Sequence, residues 1–203
     1  IRRSDVDAMF PPLPGAEEEA KTLDEMVKGW GWETRFLTGE EPTEGFVRDL
    51  EPTGILHLAT HGFYISAPKK GTSLGILDNP MYRSGLAFVG ADGTFRGWRR
   101  GTMALPEGDG VLMADEVTAL NLDGTWLVTL SACDTGVGRH VMGEGVLGLT
   151  RAFTVAGGTR VLVSLWKVDD EATRALMRTF YALWNPKTGN GASAPEALRQ
   201  AQA

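Results

Sequence analysis

Three short segments constrain the fold more than any other feature of this sequence. Residues 55–60, 126–131 and 160–165 are six residues each, and they are mostly apolar at both odd and even positions. A strand with one wet face alternates apolar with polar. A run without that alternation suits a strand covered on both sides, as the strands of a parallel sheet are. Helical stripes stand around these runs. Ala16, Ala20, Leu23, Val27 and Trp30 recur every three or four residues, behind acids at 17–19 that suit a helix N-terminus. Glu17–Lys21 and Asp24–Lys28 have the four-residue spacing of supportive pairs. Val146, Leu149, Phe153 and Ala156 form a second stripe, closed by Gly157-Gly158. Ala172, Leu176, Phe180, Leu183 and Trp184 form a third, opened by Asp169, Asp170 and Glu171. Strands alternating with helices predict an α/β fold with a mainly parallel sheet and helices on both faces.

The remaining stretches read less sharply. Phe10-Pro11-Pro12-Leu13-Pro14-Gly15 reads as the end of an extended arm. Residues 32–37 suggest a strand, and 44–50 and 114–120 short helices. Residues 86–89 and 95–98, either side of Ala91-Asp92-Gly93-Thr94, suggest a hairpin. The connection from 62 to 125 is too long for a simple crossover and reads as an insertion near the cleft. Its loop at 101–110 is weighed as a lid or a processing site against a plain surface loop.

Composition narrows the function. At 203 residues the chain is expected to form one domain. Its 20 basic and 26 acidic residues leave a net charge of −6 with no basic stripe, which argues against a nucleic-acid binder. No stretch approaches 18 consecutive apolar residues, so no membrane helix is expected, and no charged-then-apolar leader opens the chain. A cytoplasmic location is the expectation. The chain starts at Ile1 and stops at Ala203 within a helical pattern, so it is expected to be a piece of a longer protein. The single cysteine, Cys133, rules out an internal disulfide and a multi-cysteine zinc cage. It leaves one question open, whether that thiol is buried filler or a nucleophile.

In open α/β sheets ligands bind beyond the carboxyl ends of the strands. His61 follows one predicted strand and Cys133 follows another. A thiol needs to be ionised, or deprotonated during attack, and a histidine can do this and then protonate a departing amine. Gly62 and Gly136 would let backbone amides approach a substrate. Free cysteines are more often inert core residues. Thr60-His61-Gly62 and Ser131-Ala132-Cys133-Asp134-Thr135-Gly136, however, read as turns at strand ends.

The sequence also resembles a known family. Leu56-His57-Leu58-Ala59-Thr60-His61-Gly62-Phe63-Tyr64 and Leu130-Ser131-Ala132-Cys133-Asp134-Thr135-Gly136 are similar to the two signature segments of CHAT domains. These are caspase-like and separase-like cysteine peptidases, mostly bacterial and often fused to TPR repeats. The likeness continues through 143–149, 151–153, 156–158 and 163–168, and includes Leu13-Pro14-Gly15-Ala16-Glu17-Glu18-Glu19 and Ser84-Gly85-Leu86-Ala87. It implies a caspase-hemoglobinase three-layer α/β/α sandwich, with His61 as base, Cys133 as nucleophile, and an oxyanion hole from the amides of Gly62 and Cys133. It implies a protein or peptide substrate, no metal or organic cofactor, and control by a TPR-type module. Such domains usually run past the helix near 194–203 into one more core strand, which this sequence lacks. The resemblance puts the specificity pocket near Ser131 and residues 164–169. Ser131, Asp134, Ser164, Trp166 and Asp169 are the candidate substrate contacts. The acids could select a basic residue, or Asp169 and Asp170 could simply start a helix. Trp166 is a pocket wall or core. A catalytically silent interaction domain of the same fold is the competing expectation.

Two other patterns carry less. Gly143-Glu144-Gly145-Val146-Leu147-Gly148 matches the GxGxxG spacing, but the preceding strand ends about a dozen residues earlier, and a dinucleotide turn must follow its strand at once. His57 and His61 have zincin spacing, but on a strand and without the adjacent glutamate, so no metal site is expected. His140 reads as a loop residue.

Overall fold

A computed structural model describes residues 9–65, 79–102, 108–131, 133–134, 142–164, 169–186 and 191–203, with backbone alone at 133–134, 142–144 and 170. The chain divides into two compact units, residues 1–12 with 39–167 and residues 13–38 with 168–203.

The first unit holds two sheets. The strands β1 (Ile55–Leu58), β5 (Leu127–Leu130) and β7 (Val161–Val163) form a parallel sheet in the order β1-β5-β7. The three unalternating runs are therefore parallel strands, as expected. β5 is central and buried at every position, while β7 is only half-buried. Leu56, Leu58, Val128 and Leu130 enter one core with Leu149, Ala152 and Phe153 of helix α5 (Met142–Val155).

The second sheet has the order β4-β3-β2-β6, from strands β2 (His61–Tyr64), β3 (Ser84–Ala87), β4 (Val111–Met113) and β6 (Cys133–Asp134). β2–β3 and β3–β4 are antiparallel, and β2–β6 is parallel. The molecule is thus mixed α/β. The strand partner of residues 84–87 is not at 95–98, because residues 91–99 form helix α3 (Ala91–Arg99). Ala91, Phe95 and Trp98 have helical spacing, and α3 buries Ala91 and Phe95 against Phe63, Ala87 and Val111. Gly90, at φ 103°, makes the left-handed entry that a side chain would oppose. Gly85 is tighter still, since a Cβ there would lie 2.6 Å from Phe63 Cζ and 2.8 Å from the Leu112 carbonyl.

Short helices α2 (Glu44–Arg48) and α4 (Ala114–Val117) fall where the sequence placed them. Residues 32–38 form no strand. Residues 103–107, the middle of the 101–110 loop, lie outside the described residues.

The second unit packs helix α1 (Pro14–Gly29) on α6 (Asp170–Leu183), and α6 on α7 (Ala194–Ala201). Lys28 and Asp24 pair at 2.7 Å, as their spacing suggests. The buried face of α6 and its C-terminal end is Thr173, Met177, Phe180, Tyr181 and Trp184. It is rotated by about one residue from the expected Ala172–Leu176 stripe, because Tyr181 stacks among Trp30, Phe180 and Trp184. Glu19 is likewise turned inward at 3% exposure. Among the described residues no helix is long and apolar enough to cross a membrane.

Candidate active site

β1 and β5 do not end where the second sheet begins; the same two chain segments pass on into it. After Leu58 the backbone breaks for two residues and resumes as β2 at His61. After Leu130 it breaks for two residues and resumes as β6 at Cys133. The register survives the break, because one sequence offset carries Leu58 onto Leu130 and His61 onto Cys133. Ser131 N–H bridges the gap by donating to the Leu58 carbonyl at 2.9 Å, and Thr60 Oγ1 donates to the Ala87 carbonyl at 2.5 Å. His61 thus opens a strand of its own and is not a loop residue. Neighbouring strands lie about 4.8 Å apart, so the backbones of His61 and Cys133 are direct neighbours.

His61 is buried, at 7% exposure. Its Nε2 lies 2.6 Å from the carbonyl oxygen of Pro11. A carbonyl only accepts, so Nε2 carries the proton of that bond, and Nδ1 is the basic nitrogen of the neutral ring. The Phe10 ring stands 5.6 Å from the His61 ring and packs edge-on to Phe95 at 5.1 Å. Met9 N–H and Phe10 N–H both donate to Asp92 Oδ1, at 2.8 and 3.2 Å. Sequence reasoning saw the extended arm but not its contact with His61. The readable signal was the double proline, since Phe10 and Pro11 each precede a proline and are held extended by it.

The other candidate residues fall as follows. Gly62 is buried in β2, between Leu86 of β3 and Asp134 of β6. Ser131 is half-buried at the break after β5, and Ser164 is half-buried just beyond β7. Asp169 is exposed and caps α6, its Oδ1 accepting from the amides of Glu171 and Ala172 at 3.1 and 3.0 Å. Trp166, Lys167, Gly136 and His140 lie outside the described residues. His57 pairs in register with Thr129 at the middle of the parallel sheet.

The glycines of the GxGxxG match have a packing role. They lie inside α5, not at a turn between strand and helix. A Cβ at Gly145 would meet the Tyr64 ring at 3.1 Å, and one at Gly148 would meet Ser84 Oγ at 2.5 Å. Both let α5 approach β2 and β3 closely. Among the described residues no group of three or more His, Cys, Asp or Glu is arranged to hold a metal ion.

Human (Homo sapiens) tetratricopeptide repeat protein 28 is 30% identical over 205 residues, covering 95% of this chain and 8% of that protein. Its mouse (Mus musculus) counterpart is 38% identical over 76 residues, covering 37% of this chain and 3% of that protein. The chain therefore spans less than a tenth of the length of these relatives. No solved structure matches. The model of the CHAT domain family matches residues 2–203, and the chain belongs to that family.

Proposed function

We propose that the chain is a thiol endopeptidase in which His61 and Cys133 form the working dyad. The observation that carries this reading is the parallel register of His61 with Cys133, together with the Pro11 carbonyl on the far nitrogen of the imidazole. Residues paired across neighbouring strands share a face of the sheet. With Nε2 committed to Pro11, Nδ1 is the nitrogen left to take a proton.

In the proposed reaction the Cys133 thiol gives its proton to His61 Nδ1 and the sulfur attacks the carbonyl carbon of the scissile peptide. A C–S bond forms as the carbonyl π pair moves to oxygen, and the amides of Gly62 and Cys133 are proposed to stabilise that charge. The intermediate collapses, the C–N bond breaks, and the amine leaves with the proton from His61. Water then gives a proton to His61 as its oxygen attacks the thioester. The acid is released and the thiol restored. No metal or organic cofactor enters.

We further propose that the chain forms one peptidase domain in a three-layer sandwich of the caspase-hemoglobinase type, acts in the cytoplasm on a protein or peptide, and is gated by a TPR-type module. The parallel order β1-β5-β7 and the names of its relatives support this. Ser131, Asp134, Ser164, Trp166 and Asp169 are its proposed substrate contacts. Asp169 has the weakest support, because its carboxylate already caps α6.

A thiol-reactive peptide probe tests the dyad. Cys133 is expected to be labelled at neutral pH, and His61→Ala to slow labelling by about 10²- to 10⁴-fold, the range of general acid–base catalysis. An unlabelled Cys133 in the activated full-length protein, or an unchanged rate in His61→Ala, overturns the peptidase reading in favour of a silent interaction domain.

A further inference from the structure

We propose that Asp92, in the first turn of α3, is a positioning residue for His61, acting through the arm at residues 9–11. The inference rests on the dyad reading above and adds to it a residue distant in sequence from both members.

The chain of contacts is continuous. Asp92 Oδ1 receives two successive backbone N–H groups, from Met9 and Phe10. Its Oδ2 lies 3.5 Å from Arg96, one turn along α3, which steadies the carboxylate. The two bonds fix the arm at the residues just before Pro11. Phe10 then inserts its ring among His61, Phe63 and Phe95, at 5.6, 6.2 and 5.1 Å. The next residue, Pro11, is exposed, yet its carbonyl meets His61 Nε2 at 2.6 Å. A chain terminus frays unless it is tied down, and Asp92 ties the backbone of this arm while the Phe10 ring packs. Helix α3 packs by Phe95 against Phe63 of β2, so the strand that carries His61 and the helix that carries Asp92 are held in one core.

The chemical consequence concerns the proton on the imidazole. A carbonyl at Nε2 holds the neutral ring in the Nε2–H tautomer. It also stabilises the imidazolium, whose Nε2–H donates a charge-assisted bond to it. Releasing the arm would let the neutral ring exchange tautomers, lower the proton affinity of His61, and raise the pH at which Cys133 becomes thiolate.

Two readouts on the full chain test this. The first is the tautomer of His61, read from the ring ¹⁵N shifts and assigned with a His61 variant. The second is the pH profile of Cys133 alkylation by iodoacetamide. In Asp92→Ala the Nε2–H tautomer is expected to give way to a mixture. Alkylation at neutral pH is expected to slow, by up to about 100-fold as for other distant misplacements, with its midpoint moved to higher pH. Asp92→Asn keeps an oxygen acceptor and is expected to restore both readouts, which a purely structural role of the charge would not allow. Met9→Pro deletes the shorter donor instead of the acceptor and is expected to act like Asp92→Ala, so the proposal stays testable if Asp92→Ala does not fold. A folded Asp92→Ala or Met9→Pro with wild-type tautomer and profile overturns it, as does an Asp92→Asn as impaired as the alanine. The tautomer is read without reference to the thiol. If it responds as expected while His61→Ala leaves alkylation unchanged, the dyad fails and the arm's hold on His61 stands. If alkylation depends on His61 but not on Asp92, this proposal fails and the dyad stands.

Discussion

The two sheets are made partly from the same two stretches of chain, and they differ in nearly everything else. The parallel sheet β1-β5-β7 is built mostly from aliphatic residues, and its central strand is fully buried. Two residues further along each chain, β2 and β6 carry histidine, glycine, cysteine and aspartate, and join a short sheet whose other pairings are antiparallel. The shared register means that the first sheet aligns what the second displays. Burial secures the alignment of β1 with β5, and the shared register carries that alignment on to His61 and Cys133. The difference points to a division of labour: the parallel sheet sets the register, and the proposed chemistry lies downstream of the breaks at 59–60 and 131–132.

Paired substitutions either side of one break should separate the two most strongly. Cys133→Ala is expected to remove turnover, by roughly 10⁴-fold or more as for nucleophiles elsewhere, while the thermal midpoint stays close to wild type, because β6 is only two residues long. Leu130→Ala, three residues earlier and fully buried, is expected to do the reverse. It should cost about 3 kcal/mol, in the range for buried leucines, yet leave the labelling rate per folded molecule intact. Thermal unfolding and probe labelling on both variants check this. A Leu130→Ala protein that keeps its stability but loses labelling would abolish the division.

A smaller and more local test sits inside the second sheet. Gly85→Ala puts a Cβ against the Phe63 ring and the Leu112 carbonyl. Overpacking of this kind costs about 1–3 kcal/mol. Phe63 also neighbours Phe10, so the displaced ring presses on the arm that meets His61. Gly85→Ala is expected to slow Cys133 alkylation as well as to lower stability, whereas a core substitution of equal cost in the first sheet, such as Leu56→Val, should lower stability alone. Urea unfolding and alkylation rates on the same samples distinguish them.

The sheets also differed in how far the sequence revealed them. Residues 55–60, 126–131 and 160–165 announce themselves because they are mostly apolar at both parities, as parallel strands covered on both faces tend to be. The strands of the second sheet are two to four residues long, contain Ser84, Gly85 and Gly62, and pair across long separations, so no local period marks them. Asp92-Gly93 reads as a turn, and that signal masked the helical spacing of Ala91, Phe95 and Trp98. The proposed dyad was legible because histidine and cysteine carry their chemistry in their side chains. The role of Pro11 was not, because any residue supplies a backbone carbonyl and only the fold brings this one to His61.

The last difference is one of charge. In the three parallel strands the titratable side chain is His57, whereas Asp109 precedes β4, Asp115 and Glu116 follow it in α4, and Glu44 and Glu116 pair with Arg48. Glu44 Oε2 accepts from Gly110 N–H at 3.2 Å, and Asp109 Oδ1 from Val111 N–H at 2.8 Å. Arg48 lies 3.1 Å from Glu44 and 3.8 Å from Glu116. Burial, reinforced by the neighbouring Glu44 carboxylate and opposed by the Val111 amide, lifts the Asp109 carboxyl above its ordinary value of 3.8. Burial lifts Asp115 and Glu116 as well. A carboxyl that holds its proton more tightly folded than unfolded stabilises the fold fully below its unfolded value. That contribution is lost as the pH rises through the folded value. The contribution of these three carboxyls is therefore expected to fall as the pH rises above their ordinary values, while the lowered carboxyls of Asp24 and Glu196 act in the opposite direction. Asp109→Asn cannot ionise but still accepts from Val111, so from pH 4 to 7 its urea midpoint should gain on that of the wild type as the pH rises. His61→Ala should leave the Asp109 part of that slope in place, because Asp109 lies at the entry to β4 while His61 opens β2. A slope unaltered by Asp109→Asn would remove Asp109 as its source and leave Asp115 and Glu116 to account for it.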